Sequence, residues 1–355
     1  TDGGYKANNS ELYSSIWDTS EFGNTWNYQL KLPLEESGNY DFLIDWGDGS
    51  YDHITSWDQA EILHSYDVSG IYSINISGKC FGWSFNSYDA RKILKILNWG
   101  NLQLGNSGSY FKGCVNLNIT AEDSLNITEI TDFTNAFYSC ANLEYVPNME
   151  NWDMSNVLNM SGMFYSASIF NQDISGWNVS NVLDMRYMFR SASNFNRSLA
   201  SWDVSNIVTM KEMFANCDSF NRDIGNWDVS NVLDMNGMFK SADIFDQDIS
   251  TWNVSKVTDM SHMFSLAYGF NQPIGNRDVS NVINMESMFS FADAFNQNLS
   301  KWNVCNVLDM SHMFWDADNF DNDISTWNVS KVVDMRSMFY DAKTFNKDIG
   351  NWDTS

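Results

Sequence analysis

Tryptophan returns every 25 residues through more than half of this 355-residue chain, at Trp152, Trp177, Trp202, Trp227, Trp252, Trp302, Trp327 and Trp352, and Arg277 alone breaks the series. The same phrase surrounds each one, as in FNRSLASWDVSNIVTMKEM from Phe195 to Met213. A fixed period of this size means that one short unit is built repeatedly and buries its apolar face against its neighbours. The spacing predicts a solenoid and argues against a single conventional active site.

The totals narrow the partners. Twenty basic against 45 acidic side chains give a formal charge of −25, which repels nucleic acid and anionic membranes and favours cations and basic partners. The same balance also serves plain solubility. The five cysteines form no CxxC pair, and of the four histidines only His262 and His312 share a repeat position, so no zinc site is legible. No apolar run reaches the ~20 residues of a membrane span. The chain opens Thr1-Asp2-Gly3-Gly4, as a processed or trimmed product would.

Residues 1–100 do not follow the period. They alternate as strands do, over Trp26–Leu32 and Ile71–Ile76. Between these lies Asp45-Trp46-Gly47-Asp48-Gly49-Ser50, followed by His64-Ser65-Tyr66 and Gly70-Ile71-Tyr72. This order resembles the PKD domain over about residues 28–78. The resemblance implies a small β-sandwich, with Trp46 and Tyr72 filling the space between its sheets. Residues 101–126 read as a transition or capping coil, and 127–355 as the repeat array. Ala136-Phe137-Tyr138-Ser139-Cys140-Ala141-Asn142-Leu143 resembles the repeat of BspA-like leucine-rich-repeat surface proteins. The later form, WxVSNVxDMxxMFxxAxxFNxDIxxW, resembles the repeat of mycoplasma-type surface lipoproteins.

One coil reads as strand, cap, short helix and loop. Trp177 and Val179 share a strand face. Val182, Met185, Met188, Phe189 and Ala192 fall on one helical stripe, and Asn181 or Ser180 stands where a helix cap would. The expected fold is therefore an α/β repeat solenoid, leucine-rich-repeat-like with about 25 residues per coil, behind an all-β PKD-like sandwich. Trp and Met columns are then core, not redox or sugar sites.

Chemistry is sought in what remains. The position after each Trp of the series, and after Arg277, is always Asn or Asp. Stacked carboxylates such as Asp203 and Asp228 form either a hydrogen-bonded polar ladder or a weak calcium site. Calcium is the one cofactor considered, and a melting temperature indifferent to calcium and chelator would dismiss it. Further acidic columns run through Asp173 and Asp184. Evenly repeated acids do not make the unique pair of a glycosidase, and no nucleophile–base set or phosphate loop appears, so a non-enzyme is expected. Candidate glycosylation sequons are Asn8, Asn75, Asn118, Asn126, Asn159, Asn178, Asn196, Asn253, Asn298 and Asn328. Cys114 and Cys140 occupy neighbouring repeats and are a candidate disulfide. The resemblances imply an extracellular, cell-surface protein that binds other surface proteins or glycans for adhesion. The alternatives are a subunit of a filament, sheath or surface layer, and an accessory module of a larger secreted protein. The filament reading includes self-association through an open solenoid end at Trp352.

Overall fold

The computed structural model describes residues 11–86 and 89–355. The chain divides into two compact units, residues 1–157 with 162–172, and residues 158–161 with 173–355.

The first unit carries nine strands: β1 (Tyr13–Asp18), β2 (Gln29–Lys31), β3 (Leu34–Asp45), β4 (Tyr51–Ile54), β5 (Leu63–Ser65), β6 (Ile71–Trp83), β7 (Ile93–Asn98), β8 (Leu102–Gln103) and β9 (Asn118–Ile119). Seven of them form one mixed sheet in the order β4-β3-β6-β1-β7-β9, with β8 also on β6, and β2 pairs β5 in a separate ribbon. Alternation explains β3, whose Phe42 and Ile44 point into the core while Asp41 and Leu43 face water. The β3–β4 turn needs its glycines. Gly47 and Gly49 have φ of 80° and 94°, and a Cβ on Gly47 would sit 2.5 Å from the Ser73 carbonyl. Trp46 is fully buried, and Tyr72 stacks on Tyr66 at 3.8 Å. The Trp26–Leu32 strand shrinks to three residues, leaving Trp26 69% exposed.

The expected sandwich is corrected to this mixed sheet. β8 and β9 add to β6 and β7 in parallel, so the sheet widens past residue 100, while the three-residue β2 and β5 are too short to make an opposing layer. A buried pair fixes the segment ahead of β2. Asp89 accepts from the amides of Asn24, Thr25 and Lys31, and Lys92 Nζ donates to the carbonyls of Trp26 and Gln29, with 3.7 Å between the two charges. Burial lowers the Lys92 pKa against the opposing pull of Asp89.

The expected α/β repeat is also overturned. Among the described residues there is no α-helix, and the unit of repetition is a coil of β-turns joined by parallel single-residue bridges. The bridges run Asn159–Asp184–Thr209–Asp234–Asp259–Asn284–Asp309–Asp334. In one coil, four-residue turns close at Val179–Val182, Met185–Met188, Tyr187–Arg190, Phe189–Ala192 and Ala192–Phe195. A run of such turns brings the chain back to the same side every three or four residues, and so imitates the stripe of a helix. The amides that a helix would bond to the carbonyl four residues back instead reach the next coil. Tyr187 donates to Lys211, Phe189 to Met213 and Ser191 to Ala215, at 2.8–3.0 Å. Tyr187 and Ser191 have φ of 60° and 58°, a left-handed backbone that no helix of L-residues continues through.

The core is a set of stacked columns. Phe189 and Phe195 lie 4.0 Å apart within a coil, and Phe189, Phe214, Phe239, Phe264, Phe289 and Phe314 follow one another at 5.6–5.8 Å. Tryptophans stack at 6.4 Å, as in Trp177–Trp202 and Trp227–Trp252. Met185, Met188 and their equivalents as far as Met313 are buried beside them. From Trp202 onward each indole also bonds backward, Trp202 Nε1 to the Ile174 carbonyl at 3.2 Å and Trp227 Nε1 to the Leu199 carbonyl at 3.0 Å. Arg277 fills the same place, and its Nη2 donates to the carbonyl of Ile249.

Candidate binding face

The polar columns resolve into turn chemistry. In the column after Trp, the side-chain oxygen accepts the amide two residues on: Asp203 from Ser205 at 3.1 Å, Asp228 from Ser230 at 3.0 Å, Asn253 from Ser255 at 3.1 Å. The columns of Asp173 and Asp184 do the same, through Ser175 and Arg186. Only Asp, Asn and, more weakly, Ser or Thr close such turns, which accounts for the composition of all three columns apart from Pro273 in that of Asp173. Asp203 and Asp228 are exposed. The Ser230 hydroxyl and amide, with Lys256 nearby, hold the Asp228 carboxyl below its ordinary range. Among the described residues, no group of three or more His, Cys, Asp or Glu comes together as a metal-holding set.

Asparagine also braces coil to coil. Asn206 Nδ2 donates to the Ser180 carbonyl and Asn231 to Ser205, both at 2.8 Å. This is the column expected to cap a helix. Where lysine replaces asparagine, Lys256 and Lys331 reach Asn231 and Asn306 at 2.7 Å and continue the ladder.

Of the sequons, Asn8 lies outside the described residues. Asn118, Asn126, Asn178, Asn253, Asn298 and Asn328 are exposed, whereas Asn75, Asn159 and Asn196 are half-buried. The last three are held by bonds from Ser14, Ser161 and Asn221. Cys114 and Cys140 form no bridge and are separate buried thiols, with Cys140 Sγ 3.1 Å from the Phe111 carbonyl. Burial pushes the Cys114 thiol well up, and neighbouring Cys140 adds to it.

Against this frame, residues 193–194 and their equivalents change from coil to coil, and so does one strip beside the methionines. This strip comprises residues 186–187 and 190–191 and their equivalents at each 25-residue step, between the buried Met185, Met188 and Phe189; its small members Ala215, Ser261, Ser265, Ser287, Ser290 and Ser311 are buried, and its larger side chains reach the surface. It begins charged, with Arg186, Arg190, Lys211 and Glu212, and ends aromatic, with Phe291, Trp315 and Tyr340. Side chains along it meet across coils. Arg190 pairs with Glu212 and lies 5.9 Å over the Tyr187 ring, and His262 stands 3.9 Å from Glu286. Burial lowers the His262 pKa, with Glu286 pulling the other way. Trp315 stands 6.1 Å from Phe291, 4.7 Å from His312 and 5.4 Å from Tyr340. His312 Nδ1 and Asp316 Oδ1, beside this aromatic end, are buried without hydrogen-bond partners. In the first unit, Tyr138 stacks on Tyr165 at 4.6 Å, with Lys112 5.4 Å from the Tyr138 ring.

The model of a family described as "Mycoplasma protein of unknown function, DUF285" matches residues 106–221, 197–300 and 272–355. The chain belongs to this family. Three overlapping matches agree with a repeat array spanning the coils. No curated protein and no solved structure matches the chain. No helix among the described residues is long and apolar enough to cross a membrane.

Proposed function

We propose that the chain is a non-catalytic binding protein of an outer cell surface, and that the variable strip selects its ligand. The observation that carries this reading is the contrast within each coil. Trp, Met, Phe and the turn-closing Asp or Asn are held almost constant, while residues 186–187, 190–191 and their equivalents range from arginine to tryptophan. A fold that needed those positions only for itself would repeat them too. The resemblance to BspA-like and mycoplasma-type surface proteins, and to the PKD domain before them, supports the extracellular setting. The expected ligands are other surface proteins or glycans, since grouped aromatic faces such as Trp315 and Tyr340 stack on sugar rings or apolar side chains alike.

The test is binding of the chain to arrayed host-type glycans and extracellular proteins, alongside a Trp315→Ser/Tyr340→Ser variant. The reading expects at least one saturable ligand whose affinity drops about tenfold or more in the variant, equivalent to ~1.4 kcal/mol. Uniform absence of binding, or binding untouched by changes anywhere on the strip, would overturn it.

A further inference from the structure

A second periodic feature of the second unit lies three residues ahead of the variable strip in each coil. Leu158, Leu183, Val208, Leu233, Ile283 and Leu308 form an aliphatic stripe at 25-residue steps, each 41–47% exposed. The coil does not require it. The stacking bonds there are backbone ones, Leu183 N to the Leu158 carbonyl and Val208 N to the Leu183 carbonyl, both at 2.9 Å. Thr258 occupies the one polar place in the series and makes the same 2.9 Å bond to Leu233. A polar residue therefore fits, yet the sequence presents Leu, Ile or Val, and does so on a chain of formal charge −25. Contiguous exposed apolar surface on an otherwise polar molecule marks a contact face.

The step of the stripe selects the occupant. Parallel bridged segments stand about 4.8 Å apart. A helix laid along them advances about 5.4 Å per turn, so its apolar residues slip by about 0.6 Å per coil and by about 4 Å over seven coils. Only a partner with the same repeat keeps every contact in register, and a second copy of the chain has that repeat. The flanks suit it, since the stripe is bordered both by acids, Asp234, Asp259 and Asp309, and by bases, Lys256 and Lys331. Facing copies can set acid against base.

We propose that the stripe is a lateral self-association surface on which a second copy of the chain seats its own stripe. The contact is isologous, the same patch on both partners. Sedimentation velocity on the 355-residue chain tests it. A concentration-dependent dimer is expected up to about 100 µM at 0.15 M salt, where the screening length is about 8 Å. The variant Leu183→Thr/Leu233→Thr/Leu308→Thr, which copies the Thr258 coil, is expected to raise the dimer Kd at least tenfold with circular dichroism and melting profile retained. Trp315→Ser/Tyr340→Ser is expected to leave dimerisation unchanged, which separates this surface from the ligand strip. The proposal fails if the wild type stays monomeric throughout, if the triple-Thr variant dimerises equally well, or if a basic amphipathic peptide takes the stripe in place of the second copy.

Discussion

Arg277 stands in the tryptophan column, 8% exposed, and keeps the backward bond that an indole would make. What it does not keep is neutrality. Burial depresses its pKa to about 10 despite the attraction of Asp248, and its Nε is buried without a partner. Arg277→Trp restores the ring stack between Trp252 and Trp302 and removes a buried charge. A gain of about 1–3 kcal/mol is expected in urea unfolding, and a loss would show that the guanidinium has a use the column does not reveal. The left-handed positions argue in the same way. Ser287 has φ of 54°, and no β-branched residue stands in its column from Tyr187 to Ser337. Ser287→Val should cost more than about 1 kcal/mol, while Ser287→Gly, following Gly237 in the same column, should be neutral or stabilising by up to about 1 kcal/mol. The contrast is read from paired melts.

The turn-and-bridge coil carries charge at a price only in places. Asp234 is half-buried in its column. Burial raises its pKa, the Asn236 amide opposes that, and Asp259 one coil on adds to the rise. For a carboxyl raised in the folded state, the native form binds protons more readily than the unfolded one, so its ionisation destabilises as pH rises through the folded pKa. Asp234→Asn, with Asn159 and Asn284 as precedents in the column, should raise Tm at pH 7 and have little effect near pH 3. An equal effect at both values would refute the assignment. This is also where sequence reading stopped. Burial of Trp, Met and Phe followed directly from the period, because any repeating coil must bury the same face. The helix does not follow, because Val182, Met185, Met188 and Ala192 satisfy a series of four-residue turns as well as a helical stripe. The signal that separates the two is the pair of positions at Tyr187 and Ser191, filled by Gly, Asn, Asp, Ser and His more often than a helix surface would choose. Asp203 and Asp228 looked like ligands because their acceptor role within a turn shows only once the backbone is traced.

Across the whole molecule, most aspartates whose pKa is displaced are displaced downward. Asp228, Asp248, Asp278 and Asp323 are each held down by the hydroxyl or amide of the serine two residues on. In the first unit, burial pushes Asp48 up, but bonds from Ser50 and His64 outweigh it and hold the carboxyl at about 2. The sign is opposite to that of Asp234. A carboxylate depressed in the fold contributes stability that is whole above its ordinary value of 3.8 and is lost as pH falls through the folded pKa. Resistance to urea should therefore drop steeply between about pH 4 and pH 2, and a profile flat across that range would contradict the turn account. The variable strip was invisible to a reading centred on what repeats. Two of its columns, those of Tyr187 and Ser191, are bound only to a left-handed backbone and are otherwise free to vary.

Because each coil from Trp177 onward binds the next through amides and carbonyls 24 or 25 residues away, its length is a quantum. Loss or gain of one whole unit returns every side chain to an equivalent neighbour, whereas a single-residue slip misaligns all the columns beyond it. Near-identical coding segments of equal length are the natural substrate for unequal recombination, and here such exchange would yield longer or shorter proteins that still fold. A lineage carrying this gene can vary the reach and the residue order of its exposed strip by copying whole segments, without waiting for point mutations.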